Sequence, residues 1–376
     1  MKLLKILLPL ICGLASVYSY AQQEDTNQAT KITGTSTAPT CTGGICCCAG
    51  NSQAPLGVMT DHIHDKGTWM FSYTYANTMM QGNRIGSTQA NDAMVYKNYM
   101  MAPETMSMQM HMGMLMYGVT DKLTLMAMGG YMSNNMSMNM NTNGGLMFMN
   151  GAWVNMPAGT SMGMQSSSAG LTDTKVSALY NFSGVAARRI IGSLGISLPT
   201  GTIRAMGTTM LGDDERLPYD MQLGTGSYSI DPDITYTRKF GLFYLGADAG
   251  ADVKLNYNSL GYKDGNVYHA TAWAGYQFLP FLCGTLRAED VHADMISGSD
   301  PVINNPLYQE YDPTTRTGNY GGTWMNVYAG LNFHLMQPVI EHFRIMAEYG
   351  MPVYQNLNGT QIALKSNFLA GLQYAF

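Results

Sequence analysis

Residues 366–376 read SNFLAGLQYAF, and their period is two. Phe368, Ala370, Leu372, Tyr374 and Phe376 share one face, while Asn367, Gln373 and Ala375 share the other. Side chains alternate across a strand, so this is a strand with one apolar side and one mixed side. Similar alternation recurs along the chain, whereas no later segment approaches the ~18 consecutive apolar residues of a membrane helix. Charged residues make up only 12% of the sequence, mean hydropathy is −0.07, and there are 42 glycines and 24 tyrosines. That recipe is odd for a soluble enzyme. It suits alternating strands flanked by aromatic girdles, the pattern of a membrane barrel.

The opening MKLLKILLPLICGLASVYSYAQQ strengthens this reading. Lys2 and Lys5 form a positive region, Ile6–Val17 an apolar run, and Ser19-Tyr20-Ala21 a small-x-small cleavage signal. We expect a signal peptide over 1–21, a flexible periplasmic arm or partial plug over 22–66, and an outer-membrane barrel over 67–376. The terminal aromatic on a dyad-repeat strand resembles the C-terminal signal of Gram-negative outer-membrane proteins. The expected fold is all-β: a transmembrane antiparallel barrel of about 12 strands.

Alternation places strands near 67–78, 104–117, 122–133, 170–182, 190–199, 225–238, 242–256, 265–278, 282–294, 322–334, 343–353 and 366–376. An even number returns both termini to the periplasm. The turns then expected inside are short, and those outside, 134–169, 200–224 and 295–321, are long and rich in Gly, Asn, Ser and Asp. Residues 145–156 carry enough alternation for a further hairpin.

Charge assigns the faces. A Lys or Arg at mid-bilayer costs roughly 2–4 kcal/mol on the lipid side of a barrel, so charged residues belong in the lumen. Lys175, Asp231, Asp233, Asp248, Asp252, Lys254, Arg287, Glu289, Arg344 and Glu348 are assigned there, with Trp273 and Tyr328. Trp69, Phe71, Tyr73 and Tyr75 are assigned to lipid.

TMSMQMHMGMLMY (105–117) has methionine at 106, 108, 110, 112, 114 and 116. Opposite them stand Ser107, Gln109, His111 and Gly113. Hydrocarbon receives Met more cheaply than Gln or His, so the strip is expected to face lipid and His111 the lumen. The next strand reads the other way, with Leu123, Leu125 and Ala127 outward and Met126, Met128 and Met132 inward. The sharper alternative is a path for a soft ion, because thioethers and thiolates favour Cu(I).

Four cysteines, Cys41, Cys46, Cys47 and Cys48, lie in CTGGICCCAG, and His62 and His64 in DHIHD. The cysteines suit either a loop disulfide with spare thiols or a thiolate cluster for a soft ion. The histidines suit either a hydrogen-bonded pair at the barrel mouth or metal ligands. No cofactor is expected otherwise, and copper is the ion these residues would select.

The stretches 54–75, 197–203 (SLPTGTI), 216–237 (RLPYDMQLGTGSYSIDPDITYT) and 350–361 together resemble outer-membrane transporters of the group named for the meta-pathway of phenol degradation. The resemblance runs from about residue 54 to the end and implies a barrel tied to uptake of aromatic compounds. It carries no catalytic residues and does not reach the cysteines.

The expected function is a channel for small solutes, hydrophobic or aromatic ones among them; the alternative is handling of copper or another soft metal through Met, His and Cys. Its partners are outer-membrane lipid and a small solute. The acidic balance disfavours nucleic acid. An enzyme is not expected: His292 has Asp290 and Asp294 on its own face, but no serine nucleophile motif accompanies them.

Overall fold

The computed structural model describes residues 54–142, 144–149, 152–183, 188–335 and 342–376. The signal peptide, the arm before residue 54 and Cys41, Cys46, Cys47 and Cys48 lie outside these residues. Ten strands pair in sequence order, each antiparallel to the next: β1 (Trp69–Gly86), β2 (Met101–Thr120), β3 (Leu123–Asn141), β4 (Thr174–Asn181), β5 (Arg188–Leu198), β6 (Ser229–Phe240), β7 (Phe243–Lys254), β8 (Val267–Leu279), β9 (Leu282–Ala293) and β10 (Gly322–His334).

The last element, Phe343–Ala375, closes the ring by pairing antiparallel with both β10 and β1. Its residues 344–357 lie on β10 and 357–375 on β1. A closed ring of eleven straight strands would need one parallel pair, so this element must double back. It does so at Gly359, whose φ of 58° is one that a side chain disfavours. The Gln355 side chain bridges the two arms, accepting from Leu364 N at 2.9 Å and donating to its carbonyl at 3.0 Å. The two arms, β11 (343–357) and β12 (360–375), bring the barrel to twelve strands.

Short connections join β2 to β3, β6 to β7 and β8 to β9 at one end, and the long ones lie at the other. Parts of the outer segments are strand instead of loop. β3 continues to Asn141 and is paired there by Ser161–Leu171, and Gly145–Met149 pairs with Ala152–Met156 as a hairpin outside the ring.

The outer face carries exposed Trp69, Phe71, Leu194, Ile234, Leu286 and Leu372, a band that water would not tolerate on a soluble sheet. β1, β2 and β3 hold 18, 20 and 19 residues. About ten tilted residues cross a bilayer, so these three strands stand well above the membrane.

The register of β1 on β2 overturns one expectation. Met116, Met114 and Met112 lie opposite Met70, Ser72 and Thr74, which point inward, while His111 lies opposite Tyr75 and Gly113 opposite Tyr73, which point outward. The methionine strip therefore lines the interior and His111 is on the lipid side. Two facts reverse the solvation argument. Ser107 and Gln109 pair beside Asn77 and Met79 near the outer interface, because the strand overshoots the hydrocarbon. His111 itself is hydrogen-bonded, with Tyr73 Oη 2.6 Å from its Nδ1 and the Tyr75 ring 5.2 Å away.

Candidate functional site

The interior has two unlike walls. β1, β2 and β3 supply thioethers: Met106, Met114, Met116, Met126, Met132 and Met136 are all nearly or fully buried. Their cross-strand partners are often methionine as well, with Met106 opposite Met136, Met110 opposite Met132 and Met116 opposite Met126. At the outer end they pack with Ala205, Leu217, Met221 and Tyr311, so the segment expected wholly outside, 200–224, is partly folded onto the inner wall. Ser168 Oγ donates to the Met221 carbonyl at 2.7 Å and fixes it there.

The opposite wall is charged. Arg287 donates through Nε to Glu348 at 3.2 Å and through Nη1 to Glu289 at 3.1 Å, with its guanidinium 3.7 Å from the centre of the Tyr328 ring. Tyr328 in turn donates to Glu289 at 2.9 Å. Lys175 pairs with Asp231 at 3.1 Å and Lys254 with Asp252 at 2.7 Å. Asp233, Asp248 and His269 form a fourth group, with His269 Nε2 at 3.2 and 3.1 Å from the two carboxylates. One ligand atom from each lies within 4.8 Å of the others, a spacing that would accept a small cation. His269 was not singled out in the sequence. It shares parity with Trp273, whose inward face was assigned, and that parity is the signal that could have found it.

Residues 54–65 run through the periplasmic half of this interior and are held by the charged wall. Gly57 N donates to Glu348 at 2.7 Å, and Arg344 Nη2 and Asn332 Nδ2 donate to the Ala54 carbonyl at 2.6 and 3.3 Å. Thr60 Oγ1 lies 3.2 Å from both Asp233 and Asp248, and 2.7 Å from Thr235 Oγ1. Ala54 and Val58 pack on Trp273. His62 and His64 are both buried in this segment, edge to face at 5.1 Å, and the Nδ1 of His62 lies 2.7 Å from Asp61. Burial lowers His64 to about 4, so it is neutral at ordinary pH.

Above the segment lies a cavity of about 550 Å³. Met80, Met106, Met108 and Ile362 line one side, and Tyr219, Tyr320, Trp324 and Tyr328 the other. A second cavity of about 350 Å³ lies against Met110, Met112, Met128 and Met132. Tyr219 and Asp264 border both. Withdrawal from water raises Asp264 to about 6 and Asp220 to about 8, so at neutral pH Asp264 is the ionised one.

His292 points outward with the exposed Asp290 and Asp294, its Nδ1 2.8 Å from Thr323 Oγ1. This group belongs to the exposed surface, with Asp294 at the edge of the larger cavity.

No protein-family model matches the chain, and no curated protein matches it. Among solved structures, an outer-membrane channel from Pseudomonas putida F1 is similar over 83% of this chain and 97% of its own, at TM-score 0.54 and 11% identity. The chain has an outer-membrane β-barrel fold. A FadL homologue from Pseudomonas aeruginosa (12% identity, 82% and 90% covered) and the transport unit of the autotransporter AIDA-I from Escherichia coli (9%, 85% and 94%) are more distant, at TM-scores of 0.38 and 0.43. At these identities the likeness speaks to fold alone. The fold and the outward apolar band together place the barrel in an outer membrane.

Proposed function

We propose that the protein is an outer-membrane channel for small solutes that combine an apolar or aromatic body with a polar group. The carrying observation is the 550 Å³ cavity, which sets methionine and isoleucine against tyrosine and tryptophan, with Glu289, Asn326 and Asn367 among its polar groups. Mostly apolar linings with a few convergent polar atoms are the usual form of a small-molecule site. Polarizable Met side chains against aromatic ones suit a ring-bearing solute. The likeness of 54–75 and 216–237 to the phenol meta-pathway transporters supports the same solute class. In planar bilayers a simple phenol should reversibly reduce ionic current, and Met108→Glu should weaken that block by about tenfold, a difference of ~1.4 kcal/mol. An equal block in both proteins would remove the cavity from the reading.

Asp264 gives a pH signature. Its raised pKa means the charge is present above about 6 and lost as pH falls through that value. Cation preference, read from reversal potentials under a salt gradient, should decline through this window. Asp264→Asn should remove that step; an identical profile in the variant would show that other groups set the selectivity.

A further inference from the structure

We propose a thioether site for a soft monovalent ion, Cu(I) or Ag(I), where Met110, Met112, Met128 and Met132 meet around Gly130. It stands independently of the solute reading. The register sets Met110 opposite Met132 and Met112 opposite Gly130, while Met128 and Met132 flank Gly130 on the same inward face of β3. Gly130 leaves the centre of this group without a side chain. A Cβ there would lie 3.1 Å from the His111 carbonyl and from Thr172 Oγ1 and 3.4 Å from Met112 Cγ, so any larger residue would crowd the Met112 side chain. All four line the 350 Å³ cavity, which leaves room for an ion beside them.

Of the charged groups bordering this cavity, Asp173 and Lys175 are engaged, and Asp264 stands on the loop between β7 and β8 and not on β2 or β3. Asp173 accepts from Gly201 N at 2.8 Å and from Thr225 N and Oγ1 at 2.9 and 2.8 Å, and Lys175 is paired with Asp231. What faces the space on the β2–β3 side is neutral sulfur, a donor set that selects a soft d10 cation over Ca²⁺ or Mg²⁺. A packing role accounts for Met136 and Met140, which are sealed among other apolar groups. It does not account for four methionines that border open volume around a glycine.

The chemistry supplies a discriminating test. Thioethers carry no titratable proton, whereas thiolate and imidazole sites must deprotonate to bind and so weaken in acid. The full-length protein with Cys41, Cys46, Cys47 and Cys48 changed to Ser would be titrated with Cu(I) against a chromophoric chelator, at about pH 5 and about pH 7. We expect one ion to bind with little change between the two conditions. Replacing Met110, Met112, Met128 and Met132 together by Leu keeps apolar volume and should weaken binding by about tenfold or more. Copper-edge X-ray absorption should show a sulfur shell in the parent protein. Should the fourfold variant fail to give the heat-modifiable band of a folded barrel, Met112→Leu with Met132→Leu carries the same test. Unchanged affinity in the Leu variants, a steep loss in acid, or a nitrogen and oxygen shell would each overturn the site.

Discussion

Gly113→Arg should abolish or severely reduce the heat-modifiable folded band, while Met110→Arg should leave most of it. The two residues are close neighbours on β2 but lie on opposite faces. An added Cβ at Gly113 meets nothing within 4 Å, so the substitution has steric room and fails only through where it points. It lies opposite outward Tyr73, about four residues from the Trp69–Tyr117 girdle contact, and therefore deep in hydrocarbon. Arginine there costs roughly 2–4 kcal/mol, a large share of ordinary folding stability. At position 110 the guanidinium enters the 350 Å³ cavity near Asp173 and Asp264. His111→Ala should leave conductance unchanged, since His111 is outside the lumen. Folding of Gly113→Arg with loss of Met110→Arg would return the strip to the lipid side.

The second large effect concerns residues 54–65. Deleting them should raise single-channel conductance severalfold, because they fill the lumen between Trp273, Glu348 and the Asp233–Asp248 pair. A reversible version uses Thr60→Cys with Thr235→Cys. The native hydroxyl oxygens are 2.7 Å apart, so the two sulfurs can bridge with modest adjustment. Oxidised, this protein should conduct as little as the parent or less; the deletion should conduct far more. Equal currents from the parent, the bridged protein and the deletion would show that the segment does not obstruct the path.

Much of the architecture was legible because period two and charge cost act on every strand. The face of Trp69–Tyr75, the inward Met126, Met128 and Met132, and the twelve-strand order all follow from them. The methionine strip was misread for a definable reason. Methionine is apolar enough for either side, so its facing rested on Gln109 and His111, and that argument assumed a strand wholly inside hydrocarbon. Neither the overshoot of β2 nor the Tyr73–His111 hydrogen bond is visible in one strand's sequence. Only pairing with β1 resolves it. The seat of 54–65 was equally hidden, since it depends on Glu348, Arg344 and Asp248 meeting a segment nearly two hundred or more residues away.

The two unlike walls have an electrical consequence. Charges gathered on one side of a narrow, low-dielectric tube, facing polarisable sulfur on the other, set up a field directed across the bore and not along it. A molecule with its dipole at one end would be turned broadside as it enters, its polar group toward Arg287 and Glu289 and its ring toward the methionines. For the solutes proposed above, transit would then select for breadth and for the placement of the polar group on the ring, so positional isomers of equal size and equal hydrophobicity would pass at different rates.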